Sequence, residues 1–330
     1  MRSYSKATLA FVAALFLLVM AACGNNDTSK KEEATKEKPK EEQAYTIKHA
    51  MGETPIPKTP KRIVILTNEG IEALLAMGVK PVGAVEAFSG DPWYDHLSDQ
   101  LKGVEVVGTE QEVNVEKIAA LQPDLIIGNK IRQEAIYDKL NKIAPTVFAE
   151  TLRGDWQENL QLYAKAINKE NKGKEVLDNY NKHVEDVKQK LGDKTNQTIS
   201  MVRFMPGRTR IYYTDSFSGV IFDQLGFKRP ENQEKLFENP GKLGKLAVEV
   251  DKELIPEMDG DILFYFTYAP KDDKSGLELE KEWTNDPLWK NLNAVKNEKV
   301  YKVDDVIWNT AGGVIAANEM LDQLEEMLAK

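Results

Sequence analysis

The sequence predicts an α/β protein with two similar, Rossmann-like lobes that are joined by one long helix. Three observations support this prediction: apolar strand-like runs alternate with amphipathic helices, an unbroken helical pattern occupies residues 170–191, and one α/β segment occurs twice. Apolar runs without alternation are typical of parallel strands that helices cover on both faces. We therefore expect a central, mainly parallel sheet in each lobe.

The first half of the chain carries a regular alternation of strands and helices. Gly78 follows an amphipathic run, as a helix C-cap does, and Asn114 precedes another run, as an N-cap does. Strands are predicted within 61–70, 80–88, 123–128 and 144–150, and helices within 71–79, 114–122 and 135–143. Residues 45–168 are therefore assigned to a first α/β lobe.

A long helical pattern separates the two halves. One helix is predicted within 155–168, and a second follows with apolar residues every three or four positions: Val176, Leu177, Tyr180, Val184, Val187 and Leu191. Unbroken over 170–191, the second helix would be about 33 Å long, enough to cross between two lobes. We expect residues 169–191 to be this linking helix.

The α/β pattern resumes after the linking helix. Strands are predicted within 198–204, 210–215, 259–267 and 299–305, and helices within 217–227, 251–258, 286–295 and 313–329. Residues 192–330 are therefore assigned to a second α/β lobe.

An internal repeat relates the two halves. Residues 114–128 and 251–265 align without a gap, and each copy runs from a capped helix to an apolar strand that begins with Asp. The matched positions are Asn114 with Asp251, Glu116 with Glu253, and Asp124 with Asp261. The repeat predicts that the two lobes are copies of one α/β unit.

The N-terminal 22 residues predict an export signal. Arg2 and Lys6 precede an apolar run, Leu9–Met20, that is too short to span a bilayer. Two alanines then precede Cys23, the single cysteine of the chain. This stretch resembles a lipobox, in which the thiol receives a diacylglycerol and the cysteine becomes the new N-terminus. We expect residues 1–22 to be a lipoprotein signal peptide and Cys23 to anchor the chain to a membrane.

Residues 23–44 are predicted to be a tether. After Cys23 they are mostly Asn, Asp, Ser, Thr, Lys, Glu and Pro and include no large apolar residue before Tyr45. Such a segment cannot bury enough apolar surface to offset the loss of chain entropy, so we expect it to be disordered. It would hold the folded part away from the membrane.

Composition excludes several classes of partner and fold. The net charge of −9 disfavours nucleic acid as a partner. Because no cysteine remains to pair with Cys23, a disulfide-stapled secreted fold is also disfavoured.

The chain resembles the substrate-binding lipoproteins of ABC importers, in the subclass for iron–siderophores, haem and cobalamin. The resemblance lies in "IPKTPKRIVIL", "EALLAMGVKPVG", "NVEKIAALQPDLIIG" and "DPLWKNLNAVKNEKVYKVD", in this order. Residues 202–230 look most like Bacillus-type receptors for hydroxamate and citrate-hydroxamate siderophores. The resemblance implies a class III periplasmic-binding-protein fold and a ligand cleft between the lobes.

The same resemblance implies a role and its partners. The protein would be a monomer, lipid-anchored on the outer face of a Gram-positive cell membrane. It would capture a ferric siderophore and deliver it to a permease dimer that an ATPase drives. Iron would be held through the siderophore alone, so no cofactor and no direct metal ligand are expected.

Basic residues near the ends of predicted strands are candidates for binding the ligand oxygens. They are Lys130 and Arg132 in the first half, and Arg203, Arg208 and Arg210 in the second. A guanidinium group binds planar pairs of oxygens better than an ammonium group does. This set favours a ligand that carries carboxylates.

Aromatic residues are candidates for the walls of the cleft, where they would contact the hydrocarbon arms of a siderophore. They are Phe88, Trp93, Tyr212, Phe217, Tyr268 and Trp308. For each of them the alternative is packing in a hydrophobic core, which is the commoner position of an aromatic side chain.

Glu116 and Glu253 occupy matched positions of the repeat. The resemblance implies that each would meet an arginine of the permease. An acid in the first turn of a helix also complements the helix dipole, by about 0.3–1 kcal/mol. The dipole accounts for an acid at each position, whereas docking would account for both being exposed on one face.

The sequence agrees to different degrees with three other functions: direct metal binding, haem or cobalamin binding, and catalysis. A receptor that binds zinc or manganese directly would need clustered histidines, but His49, His96 and His183 show no suitable spacing. Haem and cobalamin receptors share the expected fold and stay open. An enzyme is disfavoured because the chain contains none of the motifs G-x-G-x-x-G, G-x-x-x-x-G-K-[ST], G-x-S-x-G or H-E-x-x-H.

Overall fold

Two five-stranded sheets form the framework of the protein in a computed structural model, which describes residues 43–238 and 241–329. The predictions for the signal peptide, for Cys23 and for nearly all of the tether lie outside the described residues. Both sheets belong to one compact unit that spans residues 42–330. The described residues contain no helix that combines the length and apolarity needed to cross a membrane.

The first sheet is entirely parallel. Its strand order is β5-β4-β3-β6-β7, with β3 Ile63–Ile65, β4 Gly83–Ala84, β5 Glu105–Val106, β6 Leu125–Asn129 and β7 Thr146–Ala149. A separate antiparallel hairpin, β1 Tyr45–His49 and β2 Gly52–Ile56, precedes it. The parallel prediction is confirmed here, although the strand predicted within 80–88 contains only two ladder residues.

The second sheet is mixed. Its order is β10-β9-β8-β11-β12, with β8 Ile199–Met205, β9 Arg208–Tyr212, β10 Ala247–Val250, β11 Ile262–Thr267 and β12 Val300–Lys302. Strands β8, β11 and β12 are parallel, whereas β9 and β10 run antiparallel. The turn at Pro206 and Gly207, where Gly207 has φ +70°, is too short for a crossover and forces β9 back along β8.

Twelve α-helices occur in the described residues. They are α1 Asn68–Ala76, α2 Val115–Ala120, α3 Lys130–Gln133, α4 Tyr137–Asn141, α5 Trp156–Ala166, α6 Glu170–Leu191, α7 Phe217–Leu225, α8 Glu231–Leu236, α9 Ser275–Thr284, α10 Pro287–Lys290, α11 Asn293–Lys296 and α12 Val314–Leu328. Six 3₁₀ turns lie at Asp95–Leu97, Glu134–Ile136, Arg153–Asp155, Gly192–Asn196, Gly241–Leu246 and Lys252–Met258, and one π-helical turn at Val306–Thr310.

The predicted linking helix is present as α6, which has 22 residues and lies between the two sheets in sequence. Five of its apolar positions are buried: Leu177, Tyr180, Val184, Val187 and Leu191. They pack in one hydrophobic core with residues from both halves, including Leu160 of α5 and Leu321 of α12. The division of the chain at 168/169 and 191/192 stays a prediction.

The repeat has a structural counterpart in Asp124 and Asp261. Asp124 Oδ2 accepts from the backbone amides of Lys61 and Arg62, each 3.0 Å away, just before β3. Asp261 Oδ2 accepts at 2.8 Å from the amide of Thr198, just before β8. Each aspartate therefore ties its own strand to the central strand beside it. The second copy differs in two respects. Pro256 lies within the predicted helix, so the segment forms a 3₁₀ turn, and Asp251 makes no side-chain capping hydrogen bond, whereas Asn114 accepts from the amide of Lys117.

A side chain of the first half fixes the start of the terminal helix. Glu72 on α1 is fully buried, and its Oε2 accepts from the backbone amides of Ile315 and Ala316, each at 2.9 Å. A carboxylate at the N-terminus of a helix satisfies orphan amides and complements the dipole. This contact holds α12 against α1.

Candidate ligand-binding cleft

A cavity of about 550 Å³ opens where loops that follow the carboxyl ends of the parallel strands of both sheets meet. One side consists of Glu69, Phe88, Glu110, Gln111, Arg132, Leu152 and Arg153. The other side consists of Arg203, Met205, Pro206, Arg208, Arg210, Tyr212, Tyr268, Asn309, Thr310, Ala311 and Gly312. Ligands of open α/β sheets bind at this edge, because the connecting loops leave a crevice there.

Arg203 is fixed inside the cleft by a bidentate ion pair. Its Nε lies 2.6 Å from Asp305 Oδ1, and Nη2 lies 2.9 Å from Oδ2. Nη1 donates to Tyr212 Oη at 3.1 Å, and the ring of Tyr268 stacks 5.1 Å from the guanidinium carbon. Burial lowers the pKa of Arg203, but Tyr212 and Asp305 more than offset this effect, so its pKa is raised. Arg203 therefore stays charged.

Arg208 and Arg210 share one carboxylate. In the β9–β10 ladder Arg210 stands opposite Glu249, and its Nη2 lies 2.6 Å from Glu249 Oε1. Arg208 Nη1 is 3.5 Å from the same oxygen, and its side chain is 53% exposed. The hydrogen bond from Arg210 is the main cause that lowers the pKa of Glu249. Two guanidinium groups therefore face the cleft with one counter-charge.

Arg132 is paired with Glu110 across the first half of the cleft. Its Nε lies 3.4 Å from Glu110 Oε2. The other oxygen of Glu110 accepts from the backbone amide of Asn68 at 2.7 Å and from its side chain at 3.1 Å. Glu110 is 4% exposed, so these donors compensate a buried carboxylate. Arg132 follows β6 on the short helix α3.

Arg153, which sequence reasoning missed, is a fifth arginine of the cleft. It lies in the turn between β7 and α5 with a left-handed φ of +72°. Burial lowers its pKa, as do the nearby charges of Arg132, Arg210 and Arg203. Arg153 makes no ion pair with any residue of the described chain. Its position just after a strand is the same signal that identified the other basic residues.

Glu69 also lines the cleft and was missed. It lies in the first turn of α1, where Thr67 is the N-cap. Its side chain is 5% exposed, and Oε1 accepts from Asn159 Nδ2 at 2.9 Å. Burial raises the pKa of Glu69 to about 8. The other lining residues that the sequence did not indicate are Glu110, Gln111, Leu152, Met205, Pro206 and Asn309–Gly312, which precede α12.

The structure brings together seven of the predicted ligand contacts along the cleft. They are Phe88, Arg132, Arg203, Arg208, Arg210, Tyr212 and Tyr268. Tyr268 Oη donates to the backbone oxygen of Phe88 at 3.4 Å, so these two residues meet across the cleft. Whether each one contacts a ligand stays a prediction.

Trp308 and Phe217 lie outside the cleft, and both are fully buried. The ring of Trp308 packs 4.8 Å from that of Phe264 and 5.9 Å from that of Phe222. Its Nε1 donates to Gln323 Oε1 at 2.7 Å, which satisfies the indole. Phe217 packs against Trp156, with their ring centroids 6.4 Å apart. Core packing, the alternative considered for each residue, therefore describes both.

Trp93 and Lys130 also lie outside the cleft. Trp93 is 7% exposed and belongs to the hydrophobic core. Lys130 Nζ lies 2.6 Å from Glu150 Oε1 and borders a separate shallow depression with Ile131 and Glu134. Because Lys130 lies outside the cleft and its ammonium group pairs with Glu150, it is less available to a ligand than the arginines that line the cleft.

Glu116 and Glu253 occupy equivalent exposed positions. Glu116 lies in the first turn of α2, and Glu253 in the first turn of the 3₁₀ segment Lys252–Met258. Both side chains are exposed. The described residues contain no group of three or more His, Cys, Asp or Glu arranged to hold a metal ion.

The fold and the cleft define a solute-binding protein, and the chain belongs to the periplasmic binding protein family. The family model matches residues 63–307. Two α/β lobes linked by one long helix are the class III form of this fold. The family and the relatives of this chain are binding proteins and not enzymes.

Two curated relatives from Bacillus subtilis are similar over nearly the whole chain. The probable siderophore-binding lipoprotein YfiY is 55% identical over 324 residues, which cover 98% of each chain. The Fe(3+)-citrate-binding protein YfmC is 32% identical and covers 95% of each chain.

Among solved structures, Staphylococcus aureus SirA complexed with staphyloferrin B superposes with a TM-score of 0.80. It is 37% identical and covers 86% of this chain and 98% of SirA.

Proposed function

We propose that this protein captures a ferric siderophore with hydroxamate or citrate-hydroxamate groups and delivers it to an ABC permease for iron uptake. The observation that carries the proposal is a cleft lined by five arginines. The names of YfiY, YfmC and the SirA complex, which mention a siderophore, ferric citrate and staphyloferrin B, support the same class of ligand.

The balance of charge favours an anionic ligand. Five guanidinium groups line the cleft, and three carboxylates pair with four of them: Glu110, Glu249 and Asp305. Two positive charges are therefore left over while Glu69 is protonated. Guanidinium groups bind carboxylate oxygens in bidentate geometry, so the excess charge suits a ferric complex that carries carboxylates.

The aromatic residues of the cleft complement this charge. Tyr212 and Tyr268 surround the guanidinium of Arg203, and Phe88 faces them from the other side. Such rings provide apolar surface for the hydrocarbon arms of a siderophore. Iron is the cargo of this site and would be held through the siderophore alone.

The protein would work as a monomer, anchored by a lipid on Cys23 to the outer face of a Gram-positive cell membrane. The lipoprotein name of YfiY supports the anchor. Its partners would be a permease dimer and the ATPase that drives it. Exposed glutamates on two equivalent segments, Glu116 and Glu253, would each dock on one half of the permease. The lobes would be residues 45–168 and 192–330, joined by 169–191.

A fluorescence titration of the purified protein tests the proposed ligand class. The probes are ferric schizokinen, ferrioxamine and a ferric catecholate siderophore, with haem and cobalamin as competitors from the same subclass of receptors. Saturable one-to-one quenching by a carboxylate-bearing ferric siderophore is the expected result. Tight binding of haem or cobalamin with flat curves for every siderophore would keep the fold and overturn the proposed ligand.

A further inference from the structure

Glu69 differs from the other acids of the cleft because no cation forms an ion pair with it among the described residues. Glu110, Glu249 and Asp305 each hold an arginine, whereas Glu69 forms no ion pair with the described residues. Asn159 Nδ2 donates to its Oε1, a backbone hydrogen bond from Arg153 also lowers its pKa, and both donors are neutral, while Oε2 has no hydrogen-bond partner within hydrogen-bonding distance among the described residues. A buried carboxylate with so few donors is unstable, whereas a protonated acid is tolerated.

The surroundings of Glu69 strengthen this contrast. Glu110 lies on the same side of the cleft and accepts from Asn68, the neighbour of Glu69. Arg153 and Asp155 lie in the turn before α5, and Tyr163 lies on α5 itself. Two of these groups are acids that repel a charge on Glu69, and the tyrosine is a neutral phenol. The start of α1 opposes the repulsion through its dipole, which is worth up to about 2 kcal/mol. Desolvation of a buried ion costs several kcal/mol, so it outweighs the dipole.

We propose that Glu69 sets the charge preference of the cleft, staying protonated when an anionic ligand binds and weakening that binding when it ionises at alkaline pH. The proposal rests on the proposed function, since it needs an anionic ligand. While Glu69 is neutral, the five arginines and their three paired carboxylates leave two excess positive charges. Ionisation of Glu69 would cancel one of them.

The effect on affinity follows from Coulomb's law. A new negative charge about 10 Å from one ligand carboxylate, at an effective dielectric constant of 20, weakens binding by about tenfold. The direction agrees with burial, which raises the pKa of Glu69 to about 8. Arginines do not titrate in this range. Burial lowers the pKa of His96, but its contact with Glu72 more than offsets this effect, so its pKa is raised and it needs a control.

The test compares the pH dependence of binding in four proteins. The full-length chain, Glu69→Gln, Glu112→Gln and His96→Gln are titrated with ferric schizokinen at pH 6.5, 8.0 and 9.0. The dissociation constant of the wild type should rise about tenfold from pH 6.5 to pH 9.0. The same ratio should fall to near one in Glu69→Gln, which is neutral throughout. Glu112 is exposed, so its variant should keep the wild-type ratio.

The outcomes separate this proposal from the one on function. If the dissociation constant changes by the same factor between pH 6.5 and pH 9.0 in the wild type and in Glu69→Gln, with binding intact, the proposed role of Glu69 is overturned and the proposed ligand class stands. A ratio that flattens only in His96→Gln would do the same. No binding of ferric schizokinen at any pH would overturn both. If Glu69→Gln does not fold, calorimetry of the wild type at pH 8.0 in two buffers decides, because the proposal requires proton uptake on binding.

Discussion

Arg203 and Asp305 form a bidentate ion pair that is almost closed to solvent, with the two side chains 9% and 8% exposed. The pair joins β8 to the segment after β12 and presents one edge of the guanidinium to the cleft. Both charges are buried and each compensates the other. Removal of either residue alone would therefore leave an unpaired buried charge.

Asp305→Asn is therefore expected to destabilise the protein by about 3 kcal/mol, because Arg203 keeps its charge, loses the negative charge that compensates it and faces an amide donor in place of one acceptor. Urea unfolding at pH 7 measures the loss. Asp272→Asn is a matched control, since Asp272 is exposed and should shift the midpoint little. Equal stabilities of the two variants would show that the pair contributes nothing to the fold.

Arg153→Gln tests the arginine that no carboxylate holds. A charge-assisted hydrogen bond is worth about 1.5–3 kcal/mol, so the affinity for ferric schizokinen should fall roughly 10- to 100-fold. Stability should change little, because the removed charge has no ion-pair partner in the described chain. Titration and urea unfolding are measured on the same preparation.

Arg208→Gln is the graded comparison for Arg153→Gln. Arg208 is 53% exposed and its Nη1 lies 3.5 Å from Glu249 Oε1, so its loss should lower the affinity for ferric schizokinen less than the loss of Arg153 does. An affinity loss in Arg208→Gln that exceeds the loss in Arg153→Gln would contradict the ranking.

Trp308→Phe tests whether this indole is structural. The change removes the donor of Gln323 Oε1 and leaves space beside Phe222 and Phe264, so stability should fall by about 1–3 kcal/mol. The dissociation constant for ferric schizokinen should change less than twofold, because Trp308 lies outside the cleft. A large loss of affinity with unchanged stability would indicate that Trp308 contributes to the ligand site.

Sequence patterns predicted the framework well where local rules decide it. The apolar spacing from Val176 to Leu191 predicted α6, and the repeated Asp124 and Asp261 predicted two equivalent strand starts. The patterns failed where a single residue overrides its neighbours. Pro256 lacks an amide donor and turns a predicted helix into a 3₁₀ segment.

The cleft was predictable only in part, for a physical reason. Strand ends are visible in the sequence, so most of the arginines were found. Burial by distant elements is not visible: Phe222 and Phe264 cover Trp308 from other parts of the chain. Glu69 lies in the segment 61–70, where the pattern predicted a strand, and only its place in α1 and the packing of Asn159 of α5 show that it is buried at the cleft.

The proposed docking of Glu116 and Glu253 predicts a loss of transport without a loss of binding. Glu116→Lys and Glu253→Lys together should lower uptake of radioactive iron from ferric schizokinen by more than tenfold in cells, because under this proposal each would place a cation against an arginine of the permease. The affinity of the purified double variant for ferric schizokinen should stay at the wild-type value.

Glu185→Lys is the matched control for docking, since Glu185 is an exposed residue of α6. It should leave uptake unchanged. If all three reversals lower uptake equally, the effect comes from the general charge of the surface and not from two docking points.

Stability should fall with rising pH because of Glu69. Burial raises its pKa from 4.5 to about 8, so between these values the folded protein holds a proton that the unfolded chain has released. The stabilising contribution is complete below pH 4.5 and is lost as pH rises toward 8. At 1.36 kcal/mol per pH unit, the loss amounts to roughly 3–5 kcal/mol.

Glu69→Gln cannot ionise, so its unfolding free energy should decline less steeply than that of the wild type between pH 5 and 8.5, and Glu112→Gln should follow the wild type. His96 titrates in all of these proteins and cancels in the comparison. Parallel curves for the wild type and Glu69→Gln would mean that Glu69 is already ionised at pH 5, and the charge balance of the cleft would then have to be drawn with one positive charge fewer.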